Sequence, residues 1–176
     1  MQETRVFFGS LDPFVIAVST IIVSILSSII AFSIRWMAVT PAQWLLPSCI
    51  IVVCSAILIG AFLFAPTKFL LETDTVVVRR PVGDVRLAFS EISKVGTDDR
   101  WYGLSVKALP GGNSGLFGIY GRFYDKPLGN FHMYGTKAHG SVVITMKHDE
   151  TVVLTPNERE EFATELKRRL NNLQNN

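Results

Sequence analysis

FVIAVSTIIVSILSSIIAFSI, residues 14–34, contains no charged side chain, and neither does WLLPSCIIVVCSAILIGAFLF, residues 44–64. Wound as an α-helix at roughly 1.5 Å per residue, each run is about 31 Å long, close to the thickness of a bilayer's hydrocarbon core. Only helices and closed barrels satisfy their backbone polar groups in that environment, and two runs of this length cannot close a barrel. The connection, Arg35–Gln43, is nine residues long. A two-helix transmembrane hairpin spanning 14–64 is therefore predicted, preceded by a tail, 1–13, and followed by a separate domain, 66–176.

Composition agrees with this division. Of 176 residues, 48% are hydrophobic and only 18% charged, below the quarter typical of soluble domains. A cleaved signal peptide would need a net positive start and a small-x-small cleavage site, whereas Arg5 here stands against Glu3 and Asp12. Two charge-free helices could not both be buried by the rest of so short a chain. Pro47 falls in the first turn of the second run, where a missing N–H costs little, and Trp36 and Trp44 flank the connection as interfacial aromatics do. Small residues four apart (Ser24 and Ser28, Ser27 and Ala31, Ala56 and Gly60) suggest the helix contact. No Asp, Glu, His, Lys or Arg lies within either run, which argues against an ion pathway or transporter. Cys49 and Cys54, both in the second run, lack the C-x2-C spacing of zinc or redox sites and read as small apolar residues.

Orientation follows from the basic residues near the helix ends. The connection holds Arg35 alone, while Arg5, Lys68, Arg79 and Arg80 lie on the other side. Four against one places both termini and the domain in the cytoplasm, with the chain in the inner membrane.

Residues 66–176 read as strand-rich. Apolar residues alternate at Val85–Phe89, Leu104–Ala108, Phe131–Tyr134, Val142–Met146 and Val152–Leu154, separated by turn-forming clusters such as Pro110–Asn113. About seven antiparallel strands are expected, as a bent sandwich or partly open barrel. A hairpin turning at Thr73–Asp74 would set Glu72 opposite Thr75 and Lys68 opposite Arg79. One helix, about 156–171, closes the domain: Thr155 as N-cap, Pro156 at the first position and Glu158 completing a capping box. Its apolar stripe is Phe162, Leu166, Leu170 and Leu173.

Several ordered motifs carry a family resemblance. Gly115-Leu-Phe-Gly118-Ile-Tyr-Gly121-Arg-Phe-Tyr124, Leu128-Gly-Asn-Phe131 and Tyr134-Gly-Thr136, with Arg79–Arg86 upstream and Val153–Pro156 and Phe162 downstream, resemble the signature of bacterial pleckstrin-homology (PH) domains. The resemblance implies a PH-like fold of seven strands and a capping helix, often carried behind transmembrane helices. It brings no enzymatic activity and no catalytic residues. Eukaryotic PH domains often bind inositol phospholipids through a basic loop between the first two strands; here that loop is Glu72-Thr73-Asp74, so that activity is not transferred.

Two sets of residues are candidates for binding. Lys68, Arg79 and Arg80, brought together by the hairpin beside the membrane, would attract anionic lipid headgroups at about 1 kcal/mol each. Phe117, Tyr120, Arg122, Phe123, Tyr124 and Tyr134, interleaved with glycines, would form a docking surface for a partner or a second copy if exposed. The alternative role of those glycines is to allow positive φ and close strand crossing in a bent sheet.

No phosphate-binding loop, dinucleotide fingerprint or nucleophile elbow occurs, and the net charge of +2 gives no basic groove for nucleic acid. His132, His139 and His148 have no partners at metal-ligand spacing. No metal, cofactor, nucleic acid or catalysis is expected. The function predicted is a membrane-anchored binding or assembly module, with self-association, partner recruitment or lipid attachment as its modes. A sensor relaying change through the helices is the alternative, and a lipid-modifying enzyme a weaker one. With Cys49 and Cys54 replaced, Arg35→Cys should react with an impermeant maleimide added outside spheroplasts, while a cysteine at Glu150 should react only after permeabilisation; the reverse pattern would invert the orientation.

Overall fold

Asp12 opens the first long helix. Its Oδ1 accepts the Val15 N–H at 2.9 Å, and Pro13, which has no N–H to leave unpaired, occupies the first turn. In the computed structural model, which describes residues 3–103 and 105–174, helix α1 runs Pro13–Val39 and α2 runs Leu45–Phe64. Both are long and apolar enough to cross a membrane. Helix α1 continues five residues past the charge-free run, so Arg35 and Trp36 are helical rather than part of the connection. Nothing in 35–39 breaks a helix; the stop comes at Thr40, which Pro41 excludes from helical geometry and whose N–H and hydroxyl both bond the Trp36 carbonyl. The expected small-residue contact is not what joins the helices. Ser24, Ser27, Ser28, Ala31 and Ala56 are exposed and a Cβ on Gly60 would meet nothing; of the buried helix residues, Val15 and Ser19 lie against the domain, and the others are Ser33, Pro47 and Cys54.

Two sheets follow. Strands β1 (Arg5–Phe8), β2 (Lys68–Leu71), β3 (Thr75–Arg79) and β4 (Val85–Ala88) form an antiparallel sheet in chain order. The second contains β5 (Ile92–Asp98), β6 (Lys107–Ala108), β7 (Asn113–Ser114), β8 (Ile119–Asp125), β9 (Gly129–Gly135), β10 (Ser141–Met146) and β11 (Thr151–Leu154). Its order is β5-β10-β11-β9-β8-β6, with β7 also on β8. Helix α3 (Arg159–Gln174) packs beside β5 and β10. The sheets do not close, consistent with a PH-like sandwich capped by a helix.

Three departures from expectation have physical causes. First, the N-terminal tail is part of the domain: Arg5 pairs with Leu71 and Phe8 with Lys68. Four residues with no lengthy alternation give no strand signal, yet Phe7 is buried and meets Phe162 edge-on at 5.1 Å. Second, the strands outnumber the expected seven, and one pair, β9 with β11, is parallel. The loop after β9 steps across one strand width before β10, and β11 turns back into the vacant slot. The expected strand at 104–108 is reduced to Lys107–Ala108, and Leu104 lies outside the described residues. Third, α3 begins at Arg159, not at Pro156, with Glu158 supplying the first carbonyl to Phe162. The Thr155 hydroxyl is committed elsewhere, accepting the N–H groups of Thr136 at 2.8 Å and Lys137 at 3.3 Å.

The main core lies between the sheets and α3. It is built from Phe69, Leu71, Val76 and Val78 on one side, Val142, Ile144, Val152 and Leu154 on the other, and Phe162 and Leu166 from the helix. Leu173, expected in the apolar stripe, is exposed. Arg169, only 2% exposed, pairs with Glu165 and donates to the carbonyls of Leu71, Glu72 and Glu3, tying α3 to both chain segments that flank the helices. Hydrogen bonds from Arg168, opposed by burial and reinforced by Arg169, hold the Glu165 carboxyl down to about 2.

A second core on the outer face of the large sheet contains Ile119, Phe123, Phe131 and Met133, and Val15 of α1 packs into it. Because Phe7 anchors β1 in the main core, Phe7→Ala is expected to destabilise the domain by about 3 kcal/mol or more. Denaturant unfolding of the full chain in detergent checks this; a loss below about 1 kcal/mol would mean that β1 is peripheral.

Candidate functional site

The β2–β3 hairpin has the register read from the sequence. Lys68 lies opposite Arg79, and the Glu72 N–H bonds the Thr75 carbonyl at 2.9 Å. The three cations are thus close in the fold, but each engages a protein group. Arg79 pairs with Asp84. Arg80 Nε donates to the Gly83 carbonyl at 2.6 Å, and its guanidinium lies 5.6 Å from the Phe64 ring and 5.8 Å from that of Tyr134. The Lys68 ammonium sits 5.3 Å from the Phe8 ring. Net positive charge remains at Lys68 and Arg80, at the end of α2 that meets the domain.

The aromatic set divides by strand periodicity. Residues Tyr120, Arg122 and Tyr124 on β8 face Tyr134, His132 and Asn130 on β9, and these six share one side of the sheet. Phe123 points to the other side, is fully buried and stacks on Phe131 at 5.9 Å. It cannot belong to a docking surface. Tyr120 is also buried; its hydroxyl donates to the Ala61 carbonyl of α2 at 2.6 Å, and burial raises its pKa. Phe117 packs edge-on to Phe62 of α2, and Tyr134 is half-buried beneath Arg80. Of the six candidates only Arg122 and Tyr124 are exposed. Arg122 borders an open groove of about 310 Å³, lined also by Leu109, Asn130, His132 and Glu150, in which His132 Nδ1 lies 2.9 Å from Glu150 Oε1.

The glycines serve the backbone. At Gly121, φ is 103° and a Cβ would collide with the Gly111 carbonyl, so the tight crossing of β8 by the Gly111–Gly112 turn needs glycine there.

The histidines do not converge. His139 Nδ1 lies 3.6 Å from Asp12 Oδ2, and His148 is exposed in the β10–β11 turn. Among the described residues, no group of three His, Cys, Asp or Glu side chains is arranged to hold a metal ion. Asp98 belongs to a structural network: burial alone would raise its pKa, but hydrogen bonds from Arg100 and Tyr102 hold it down to about 2.

A joint between helices and domain was not found from the sequence. Asp12 caps α1 and, through Oδ2, accepts the Ala138 N–H at 2.6 Å, while its own N–H donates to the Thr136 carbonyl at 3.3 Å. Ser19 Oγ donates to the Gly115 carbonyl at 2.8 Å and accepts the Phe117 N–H at 2.9 Å. On α2, the Leu63 carbonyl accepts the Val82 N–H at 3.1 Å. The Asp12-Pro13 pair before an apolar run was the one available signal, as an N-cap. Ser19 carried none, because a serine in an apolar helix does not announce its partner.

A sandwich of open sheets with a C-terminal capping helix, carried on a helical hairpin, defines the class of this chain. Residues 67–170, more than half of it, match the family described as Bacterial PH domain, and the chain belongs to that family. No curated protein and no solved structure matches it.

Ser19→Ala removes both partners of the 115–117 loop at once, leaving a buried donor and acceptor unpaired. It is expected to destabilise the docked domain by about 2 kcal/mol. Faster proteolysis within 111–118 in detergent-solubilised full chain checks this; an unchanged cleavage rate would mean that the Ser19 bonds do not hold the loop.

Proposed function

We propose that this chain is a membrane-anchored binding module, which holds its PH domain at the cytoplasmic face of the inner membrane in a fixed orientation and presents the β8–β9 groove to a protein partner. The observation that carries this reading is the joint just described: both helices are bonded to the domain, through Asp12 and Ser19 on one and Ala61 and Leu63 on the other. A domain so attached cannot swing freely, so the side away from the helices faces the cytoplasm. The helices themselves supply the anchor, since Ile25, Phe32, Val52 and Ile59 are more than half exposed among the described residues. The excess of Arg5, Lys68, Arg79 and Arg80 over Arg35 favours the cytoplasmic side.

Among the modes of binding, the geometry favours protein over anionic lipid. Arg79 is paired with Asp84, and Arg80 is held by Gly83 and two rings. Arg122, by contrast, has no ion pair among the described residues and borders an open groove beside exposed Tyr124. Tyrosine and arginine are the residues most enriched where binding energy concentrates.

The full chain carrying a photoreactive phenylalanine analogue at Tyr124, irradiated in membranes, should give a discrete adduct. Its yield should fall about fivefold with Arg122→Glu, the effect of losing roughly 1 kcal/mol of binding. An adduct of twice the chain's mass would identify a second copy as the partner. No adduct from protein recovered in the membrane fraction would exclude the groove as the docking site.

A further inference from the structure

Three loops ring the helix pair where it meets the domain, and each carries an apolar side chain. The turn after β3 holds Val82, 45% exposed, whose N–H bonds the Leu63 carbonyl near the end of α2. The loop after β5 holds Trp101, 44% exposed, its ring 5.3 Å from that of Phe14 at the start of α1. The third loop, Gly115–Gly118, enters the crevice between the helices. A Cβ on Gly115 would stand 2.7 Å from Val18, and the Phe117 ring lies 6.0 Å from Phe62. Its contact with Ser19 is six residues beyond the start of α1, about 9 Å along the helix axis.

At that level the outward side chains of the helices are already apolar and exposed, at Ile16, Phe62 and Phe64. A bilayer that covers them reaches the loops as well.

The third loop is also built for little water. The Gly115 N–H bonds the Gly118 carbonyl at 2.9 Å, and the Gly115 carbonyl accepts from Ser19. Both backbone groups of Leu116 are taken by the Asn113 amide, at 3.3 Å and 2.6 Å, and the Phe117 N–H is taken by Ser19. Irregular backbone survives at membrane depth only when its polar groups are satisfied within the protein. Phe117 moreover holds a φ of 61°, a conformation unfavourable for a phenylalanine, which packing against α2 maintains.

We propose that Val82, Trp101 and the Gly115–Gly118 loop form an interfacial rim embedded at the boundary between lipid headgroups and acyl chains, so that the partner of this surface is the bilayer itself, irrespective of its charge. The inference rests on the membrane-anchored reading and adds that the domain is partly immersed rather than held above the surface.

The test uses the full chain in nanodiscs of phosphatidylcholine alone, with Cys49 and Cys54 replaced and a nitroxide placed at Val82, at Phe117, at Ile25 in the middle of α1, or at Lys147 in the β10–β11 turn. Labels at Val82 and Phe117 are expected to collide more with oxygen than with a water-soluble nickel complex, as the Ile25 label does, and the Lys147 label should do the opposite. In the otherwise unaltered rim, Trp101 emission, isolated by Trp36→Phe and Trp44→Phe, is expected to be quenched by lipid brominated high on the acyl chain. This second readout does not depend on a rim substitution folding correctly. Rim labels that behave like Lys147, or an unquenched Trp101, while Ile25 is in lipid would overturn the rim and leave the anchor standing. An Ile25 label in water would overturn both.

Discussion

Strands β1 and β2 stand on either side of the helical hairpin in sequence and beside one another in space. Their antiparallel pairing, Arg5 with Leu71 through Phe8 with Lys68, sets the end of β1, which leads into α1, one strand spacing from the start of β2, which follows α2. The rest of the architecture depends on this constraint. Asp12 can cap α1 and hold the Thr136–Ala138 loop only because β1 delivers it there. Arg169 can bond Glu3, Leu71 and Glu72 together only because β1 and β2 are neighbours. The domain is therefore not a soluble unit tethered to helices by a linker: its first strand precedes them, and residues 66–176 alone would lack an edge strand and the core side chain Phe7.

The joint limits what the domain can present. Its β8 face begins at the helices with Tyr120, which is consumed by Ala61, and ends away from them with Arg122 and Tyr124, which are not consumed. One strand thus has a structural end and an open end. Alternation along it separates the open face from Phe123 and the outer core. A glycine-aromatic run that looks uniform in the sequence is divided by these two geometries into a contact with the helices, a core layer and a short exposed strip.

The parts legible from the sequence were those governed by local rules. Charge-free runs marked both helices, a two-residue turn set Lys68 opposite Arg79, and the 3.6-residue period placed Phe162 and Leu166 inward. What escaped was set by tertiary competition. Thr155 has every local mark of an N-cap, but its hydroxyl bonds a loop almost twenty residues away in the chain, and α3 starts a turn later. Four residues of β1 are too few for periodicity to register. The parallel placement of β11 beside β9 arises from where a loop crosses, which no pattern within either strand encodes. Site residues divided the same way: exposure along β8 depended on which face the helices covered, and Ser19 became functional through a partner 96 positions away.

The β1–β2 pairing also bears on how the chain assembles. Some sixty residues separate the two strands, and closing a flexible loop of that length costs entropy that grows with the logarithm of its length. A helical hairpin that forms first is not a flexible loop. Once α1 and α2 are side by side, its two ends already lie near each other, and the pairing becomes in effect a local event. Long-range contacts ordinarily slow folding, but here the hairpin acts as a template that removes most of the search. The first strand synthesised waits for the second, and the order in which the chain emerges becomes the order in which the sheet is built.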